Sequence, residues 1–546
     1  METRKVPSKL HFRKFVLNDL KQYHLIKKLN LKNVNYTEMS IDKFGKQMDS
    51  SLLEFKQFLL KRKAYNTLDF TNVIEAFQTM KIEKQILIMK KQSRIKKLII
   101  PLGSFSSGFV DIKTTVLWIR NIKGLKVLGF KVPSYMYNPG IKNLNNELIF
   151  WKAIKRHRLE VLNVDTEYFM RQVTNFVFKL SNAPSTIKEL CLKNACGELN
   201  SITNDAKVSL SSLKGLKSLS LSLYPNLELW KTLFTSIPNP NQLLKLCINI
   251  PHKLTKDFIL SYFPLQENNQ LRILELMFEE APSDLGKFVK AFQNKKLKIL
   301  KVIVRKISLT PRKSWYWIVD LLNNNPDLKK IKIGLSYPVD ETNSEEKFYK
   351  SLIKAISKLK SLKKLKLSLN DTVPNSAAGS VFSVKELYKL KNIEEISFES
   401  NCLVVQMWDD FVDLSEKFAP NLKKLKLNLG KTTPDMNYLK RLRKFIRSLK
   451  VLEVLKFKRF EIPSSKFWKE FVCCLTELKN LRKLELGRLN ITDKEFDQGI
   501  LSLLSISSFK KIEYWQSYNY YGLKNISIEN PFDRKQLIYD LQKKEY

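Results

Sequence analysis

Residues 362–367 read Leu362-Lys363-Lys364-Leu365-Lys366-Leu367, and 60 residues further on the chain repeats all six residue types in order, Leu422-Lys423-Lys424-Leu425-Lys426-Leu427. Looser copies of this apolar-x-x-apolar-x-apolar hexad begin at Ile26, Tyr65, Ile95, Leu125, Leu159, Ile187, Leu216, Leu243, Leu271, Leu297, Leu328, Ile393, Leu452, Leu481 and Phe509, which makes 17 anchors in all. From Ile95 to Phe509 the fourteen steps average 29.6 residues, a regularity that chance apolar hexads do not keep. The hexads dictate the architecture.

Between hexads the apolar spacing changes to a helical one. Phe348, Leu352, Ile356 and Leu359 lie on one helix face, as do Trp408, Phe411, Leu414 and Phe418, and Phe467, Phe471, Leu475 and Leu478. Each unit therefore reads as a short strand, a turn and a helix. A lone unit cannot bury both halves, so neighbours stack into one α/β core with a parallel sheet on one side and helices on the other. Strands pack closer than helices, so the stack curves with its strands inside.

These anchors resemble the L-x-x-L-x-L segment of leucine-rich repeats, and their period is similar to that of the ribonuclease-inhibitor-like class. The resemblance covers about residues 26–514 and implies a right-handed leucine-rich-repeat solenoid, a horseshoe with parallel strands on the concave face and helices on the convex face. About 17 repeats of about 29 residues are expected. At the ninth position, where that class places an Asn or Cys, Asn370 fits, while Tyr224, Ser336 and Gly430 depart from the pattern. Residues 1–25 read as an N-terminal cap, 26–514 as the solenoid and 515–546 as an aromatic-rich C-terminal cap bearing Trp515, Tyr518, Tyr520 and Tyr521.

Composition narrows the function classes. The 546 residues carry 96 Lys+Arg against 53 Asp+Glu, a net charge of +43, with 44% hydrophobic residues. Only 15 Gly and six Cys occur, which leaves little material for phosphate-cradling loops or a disulfide scaffold and points to a reducing, intracellular compartment, cytoplasmic or nuclear. No run of about 18 apolar residues suggests a membrane span. Gly103–Gly108 lacks the Lys and Ser/Thr of a phosphate loop.

Alternation along each strand sends the last two apolar anchors into the core and positions 3, 5 and 7 of the unit onto the concave face. From Leu297 onward, position 3 reads Ile299, Lys330, Lys364, Glu395, Lys424, Val454, Lys483 and Lys511, and position 5 reads Lys301, Lys332, Lys366, Ser397, Lys426, Lys456, Glu485 and Glu513. A basic patch is thus expected between residues 299 and 458, with Lys301, Lys330, Lys332, Lys364, Lys366, Lys424, Lys426 and Lys456 as candidate partner-binding residues. Glu394, Glu395 and Glu399 sit among them and relieve part of the repulsion. The corresponding N-terminal columns, such as Asn163, Ser218, Ser220 and Cys247, are mixed.

No catalytic or metal constellation emerges. His11, His24, His157 and His252 have no ligand-spaced neighbours and read as surface or cap residues. Cys474 falls on an apolar stripe, and Cys191 and Cys247 lie on non-adjacent strands. Ran GTPase-activating proteins are similar repeat arcs, yet no arginine aligns with their catalytic one and their acidic tail is missing. The expectation is a non-enzymatic scaffold without cofactor or metal that holds a protein partner through acidic groups on that partner. The alternative is a nucleic-acid backbone or a structural place in a ribonucleoprotein, although few aromatics and a shortage of Arg weaken it.

Overall fold

The computed structural model describes residues 11–12, 15–17, 35–36, 39–41, 67–69, 81–91, 95–101, 112–132, 145–166, 183–193, 210–222, 230, 233–250, 268–280, 292, 296–306, 316–337, 344–371, 385–400, 421–432, 436–460, 462–488, 493–504, 506, 508–509, 511–518 and 522–529. The chain forms two compact units, Met1–Pro251 with Ser261–Gln270, and His252–Leu260 with Leu271–Tyr546.

In the first unit, β1 (His11–Phe12) pairs with β3 (Asn35–Tyr36) and β2 (Phe15–Leu17) with β4 (Met39–Ile41), both in parallel. The main sheet follows: β5 (Thr67–Asp69), β6 (Lys97–Pro101), β7 (Val127–Val132), β8 (Val161–Thr166), β9 (Glu189–Lys193), β10 (Ser218–Ser222) and β11 (Lys245–Ile250). Each strand pairs in parallel with its sequence neighbour. Three described helices return the chain, α1 (Ile82–Lys91), α2 (Ile112–Asn121) and α3 (Asn145–Lys155).

The second unit repeats the plan. Its parallel strands are β12 (Ile273–Glu280), β13 (Ile299–Lys306), β14 (Lys330–Tyr337), β15 (Lys364–Asp371), β16 (Glu395–Ser400), β17 (Lys424–Thr432), β18 (Val454–Phe460), β19 (Lys483–Arg488) and β20 (Lys511–Tyr518). The helices are α4 (Tyr316–Asn323), α5 (Ser344–Ser357), α6 (Met436–Ser448), α7 (Ser465–Thr476) and α8 (Asp493–Leu504). A final strand, β21 (Gly522–Glu529), turns back antiparallel on β20 and pairs from Lys511↔Glu529 to Tyr518↔Gly522, so the outer edge of β20 is covered.

The hexads account for this layout. Their second apolar residues align in register, from Leu98 through Leu128, Leu162, Leu190 and Leu219 to Leu246, and from Leu274 through Leu300, Ile331, Leu365, Ile396, Leu425, Leu455 and Leu484 to Ile512. These side chains are buried, as are the first anchors from Ile95 to Phe509. At roughly 1.5–3 kcal/mol per fully buried large side chain, this inner row is the main stabilising term. The helix faces close the other side: Phe348, Leu352, Ile356 and Leu359 are buried, and so are Phe467, Phe471, Leu475 and Leu478. The Ile26 hexad and the Trp408–Phe418 series lie outside the described residues.

Polar bonds lock one coil to the next just before each strand. The Lys298 carbonyl accepts both Lys329 N–H at 2.8 Å and Lys330 N–H at 3.1 Å, and the carbonyls of Lys329, Lys363, Glu394, Lys423 and Glu453 repeat the arrangement. Side chains beside the first anchor add to it. Asn392, Asn421 and Asn480 donate Nδ2 to the carbonyls of Lys360, Lys391 and Lys450, each about one period back in the sequence. Asn268 is fully buried and donates to both the Pro240 and Leu243 carbonyls at 2.8 Å.

Candidate functional site

Along β13 the alternation runs half-buried Ile299, buried Leu300, half-buried Lys301, buried Val302, half-buried Ile303, buried Val304. The sheet face opposite the anchors therefore carries positions 3, 5 and 7. On this open face the register stacks Lys301, Lys332 and Lys366 on three successive strands, followed by Ser397, Lys426, Lys456 and Glu485. One position earlier stand Ile299, Lys330, Lys364, Glu395 and Lys424. With strands about 4.8 Å apart, side chains in one row are direct neighbours. All eight candidate lysines occupy this face.

Carboxylates on flanking strands divide them into two groups. Lys301 Nζ lies 3.3 Å from Glu275 Oε2, Lys364 lies 3.3 Å from Glu395, Lys366 lies 2.7 Å from Glu399, and Lys426 lies 3.8 Å from Glu395. Lys456 pairs with Glu485, whose side chain is 10% exposed, which makes this the most enclosed of these pairs. Lys330, Lys332 and Lys424 form no ion pair among the described residues. Burial and the neighbouring charges of Lys366 and Lys301 hold the Lys332 ammonium below its ordinary pKa. Burial also lowers that of Lys426, against the attraction of Glu395. Around β14 the face holds positive charge that no ion pair among the described residues compensates.

Two groups of residues here escape a search for lysines in columns 3 and 5. Position 2, at the rim where each strand begins, carries Lys298, Lys329, Lys363 and Lys423; Lys298 pairs with Asp327 at 3.0 Å and Lys363 with Glu394 at 2.8 Å. The second group is apolar: Ile273 and Met277 on β12 stand beside Ile299 and Ile303 on β13, all half-buried. Both were visible as columns in the repeat alignment. Ser397 Oγ and Asn428 Oδ1, on the same face, are buried with no hydrogen-bond partner among the described residues.

No family model and no curated protein matches this chain. Among solved structures it is similar to a leucine-rich-repeat protein of Leptospira interrogans, at 16% identity with a TM-score of 0.31, covering 82% of this chain and 99% of that one. It is also similar to a structural-genomics protein of Bacteroides fragilis, at 13% identity with a TM-score of 0.23, covering 37% of this chain and 73% of that one. The fold is a leucine-rich-repeat one. Its deciding marks are the buried L-x-x-L-x-L rows and their coil-to-coil parallel pairing.

The remaining candidates take structural positions. His157 stands past the end of α3, nearly buried, and a ring nitrogen approaches the Ile119 carbonyl at 2.8 Å. It is not on the surface: its ring bridges neighbouring coils, and burial lowers its pKa. Cys474 is buried on α7, where burial pushes the thiol up to about 11. Cys191 and Cys247 flank Ser220 in the register, two strands apart. Among the described residues no His, Cys, Asp and Glu cluster could hold a metal, and no helix is long and apolar enough to cross a membrane. Gly103–Gly108 lies outside the described residues. Lys90 and Lys91 end α1 and Lys97 opens β6, so both ends of the basic stretch 90–97 lie in regular structure.

Proposed function

We propose that the protein is a non-enzymatic interaction scaffold whose open sheet face, centred on β14 and its neighbours, binds a protein partner through acidic groups on that partner. The observation that carries this reading is the register of Lys301, Lys332 and Lys366 on three adjacent strands, in which the outer two have carboxylate partners and Lys332 on β14 has none among the described residues. Like charges side by side on a sheet are unfavourable, and a partner carboxylate would relieve the repulsion. Such a surface also steers association over a distance set by ionic strength.

The test is affinity purification of the full chain at two salt concentrations, with and without nuclease, beside a variant carrying Lys332→Glu, Lys366→Glu and Lys426→Glu. The expected result is a protein partner that resists nuclease, weakens with salt and is lost from the variant. Partners unchanged in the folded variant would remove the basic face from the explanation. Partners that vanish with nuclease would support instead a nucleic-acid backbone, the reading that the net charge of +43 keeps in play.

A further inference from the structure

The apolar group on β12 and β13 directly adjoins the uncompensated charge on β14. Ile273 is in register with Ile299, and Met277 with Ile303, with the Glu275–Lys301 pair between the two rows. One strand on, the partners change character: Ile299 faces Lys330, Lys301 faces Lys332 and Ile303 faces Gly334. At Gly334 the row of side chains is interrupted. A Cβ at that position would meet Ile303 Cγ1 at 3.6 Å, an ordinary contact, so packing on this side does not demand glycine. Gly334 adds no side chain to this face and is itself buried where it pairs with Ile303 on one side and Ser368 on the other, with Lys332 two residues earlier on the same strand.

The two halves of this surface suit different parts of one ligand. Half-buried isoleucines and a methionine gain from covering by apolar side chains, which a protein segment supplies more readily than a phosphodiester backbone. The cations gain from a carboxylate. We propose that β12–β14 is a docking site for a segment of a partner protein that sets an apolar side chain against Ile299 and Ile303, and an Asp or Glu carboxylate against Lys332 beside Gly334. Neighbouring strands are about 4.8 Å apart, so the two anchors lie roughly 5–10 Å from each other, the span of adjacent or next-but-one residues of an extended segment. This inference rests on the basic-face reading and specifies the chemistry of its partner.

The experiment is selection of a random peptide library, displayed on phage, on the immobilised full chain. The enriched peptides are then titrated against Lys332→Glu, Ile303→Ser and Gly334→Leu variants whose cooperative melting shows that they are folded. The expected peptides combine an acidic with an apolar residue within two positions. Each should lose about tenfold or more in affinity on all three variants, the size of effect a central anchor carries, and regain it on Ile303→Val. Lys469→Gln, at an exposed lysine on α7 away from the open sheet face, should stay within about threefold. Purely acidic peptides that ignore Ile303→Ser would overturn the docking site and leave the basic face standing. No enrichment over the bare support, or binding indifferent to every variant, would overturn both.

Discussion

At Gly499 on α8 a hydrogen occupies the place where any side chain would strike its neighbour: a Cβ would clash with Trp468 Nε1 and lie 2.6 Å from Cε2. The indole cannot yield easily, because Trp468 is fully buried and donates to the Glu495 carbonyl at 3.1 Å. Alanine in a helix is favoured over glycine by about 1 kcal/mol, yet overpacking of a filled core costs about 1–3 kcal/mol or more, so the clash wins. Gly499→Ala should lower the denaturation midpoint, and a rise would mean that the α7–α8 contact relaxes freely. His157 makes a separate prediction about pH. Burial favours its neutral form, so its folded pKa lies below the ordinary 6.5, and the unfolded chain takes up the proton first as pH falls. Stability should therefore decline as pH drops below 6.5 and level off below the folded pKa. His157→Gln should flatten that slope in melting curves taken across this range; an unaltered slope would assign the acid sensitivity to other groups.

At the scale of the element, the strands were legible because a buried apolar row is a constraint repeated every coil, and sampling it fourteen times averages out the irregular steps. The polar joints between coils were less so. The ninth-position Asn that the family resemblance suggests is only sporadically present, while Asn392, Asn421 and Asn480 sit immediately before the first anchor and reach the preceding coil. Their spacing was in the sequence, but a lone Asn in a turn has many local roles, and only the fold shows a carbonyl one period back within reach. The open face divides in the same way. Alternation put all eight lysines outward, whereas which of them are neutralised depends on diagonal reach, as from Lys366 to Glu399 rather than to the directly opposite Ser397. Among the joints, Asn268 carries the most, since its amide serves two carbonyls from a fully buried position. Asn268→Ala should cost about 1–3 kcal/mol by leaving buried carbonyls unpaired, while Asn480→Ala, at the solvent-exposed joint, should cost less than about 1.5 kcal/mol. Equal losses in urea denaturation would contradict this ranking.

For the whole molecule, a charge of +43 means that folding gathers cations which the unfolded chain holds further apart. The open face concentrates the effect at Lys332, where burial and the adjacent Lys366 and Lys301 oppose the charged form. A folded pKa below the unfolded one means that this ammonium weakens the fold at neutral pH, and the penalty fades as pH rises through the folded value toward 10.5. Lys332→Gln should then stabilise the protein at pH 7 even as it weakens partner binding, a separation of stability from function typical of binding residues. Salt should separate the two in the same direction. Raising ionic strength from about 0.01 M to 0.15 M shortens the screening length from about 30 Å to about 8 Å. Self-repulsion within the molecule then falls, and so does its attraction for an acidic partner. The melting temperature should rise while the association rate drops, and both responses should be smaller in Lys332→Gln than in the parent. If salt moved stability and association together, the surplus charge on this face would not be what governs them.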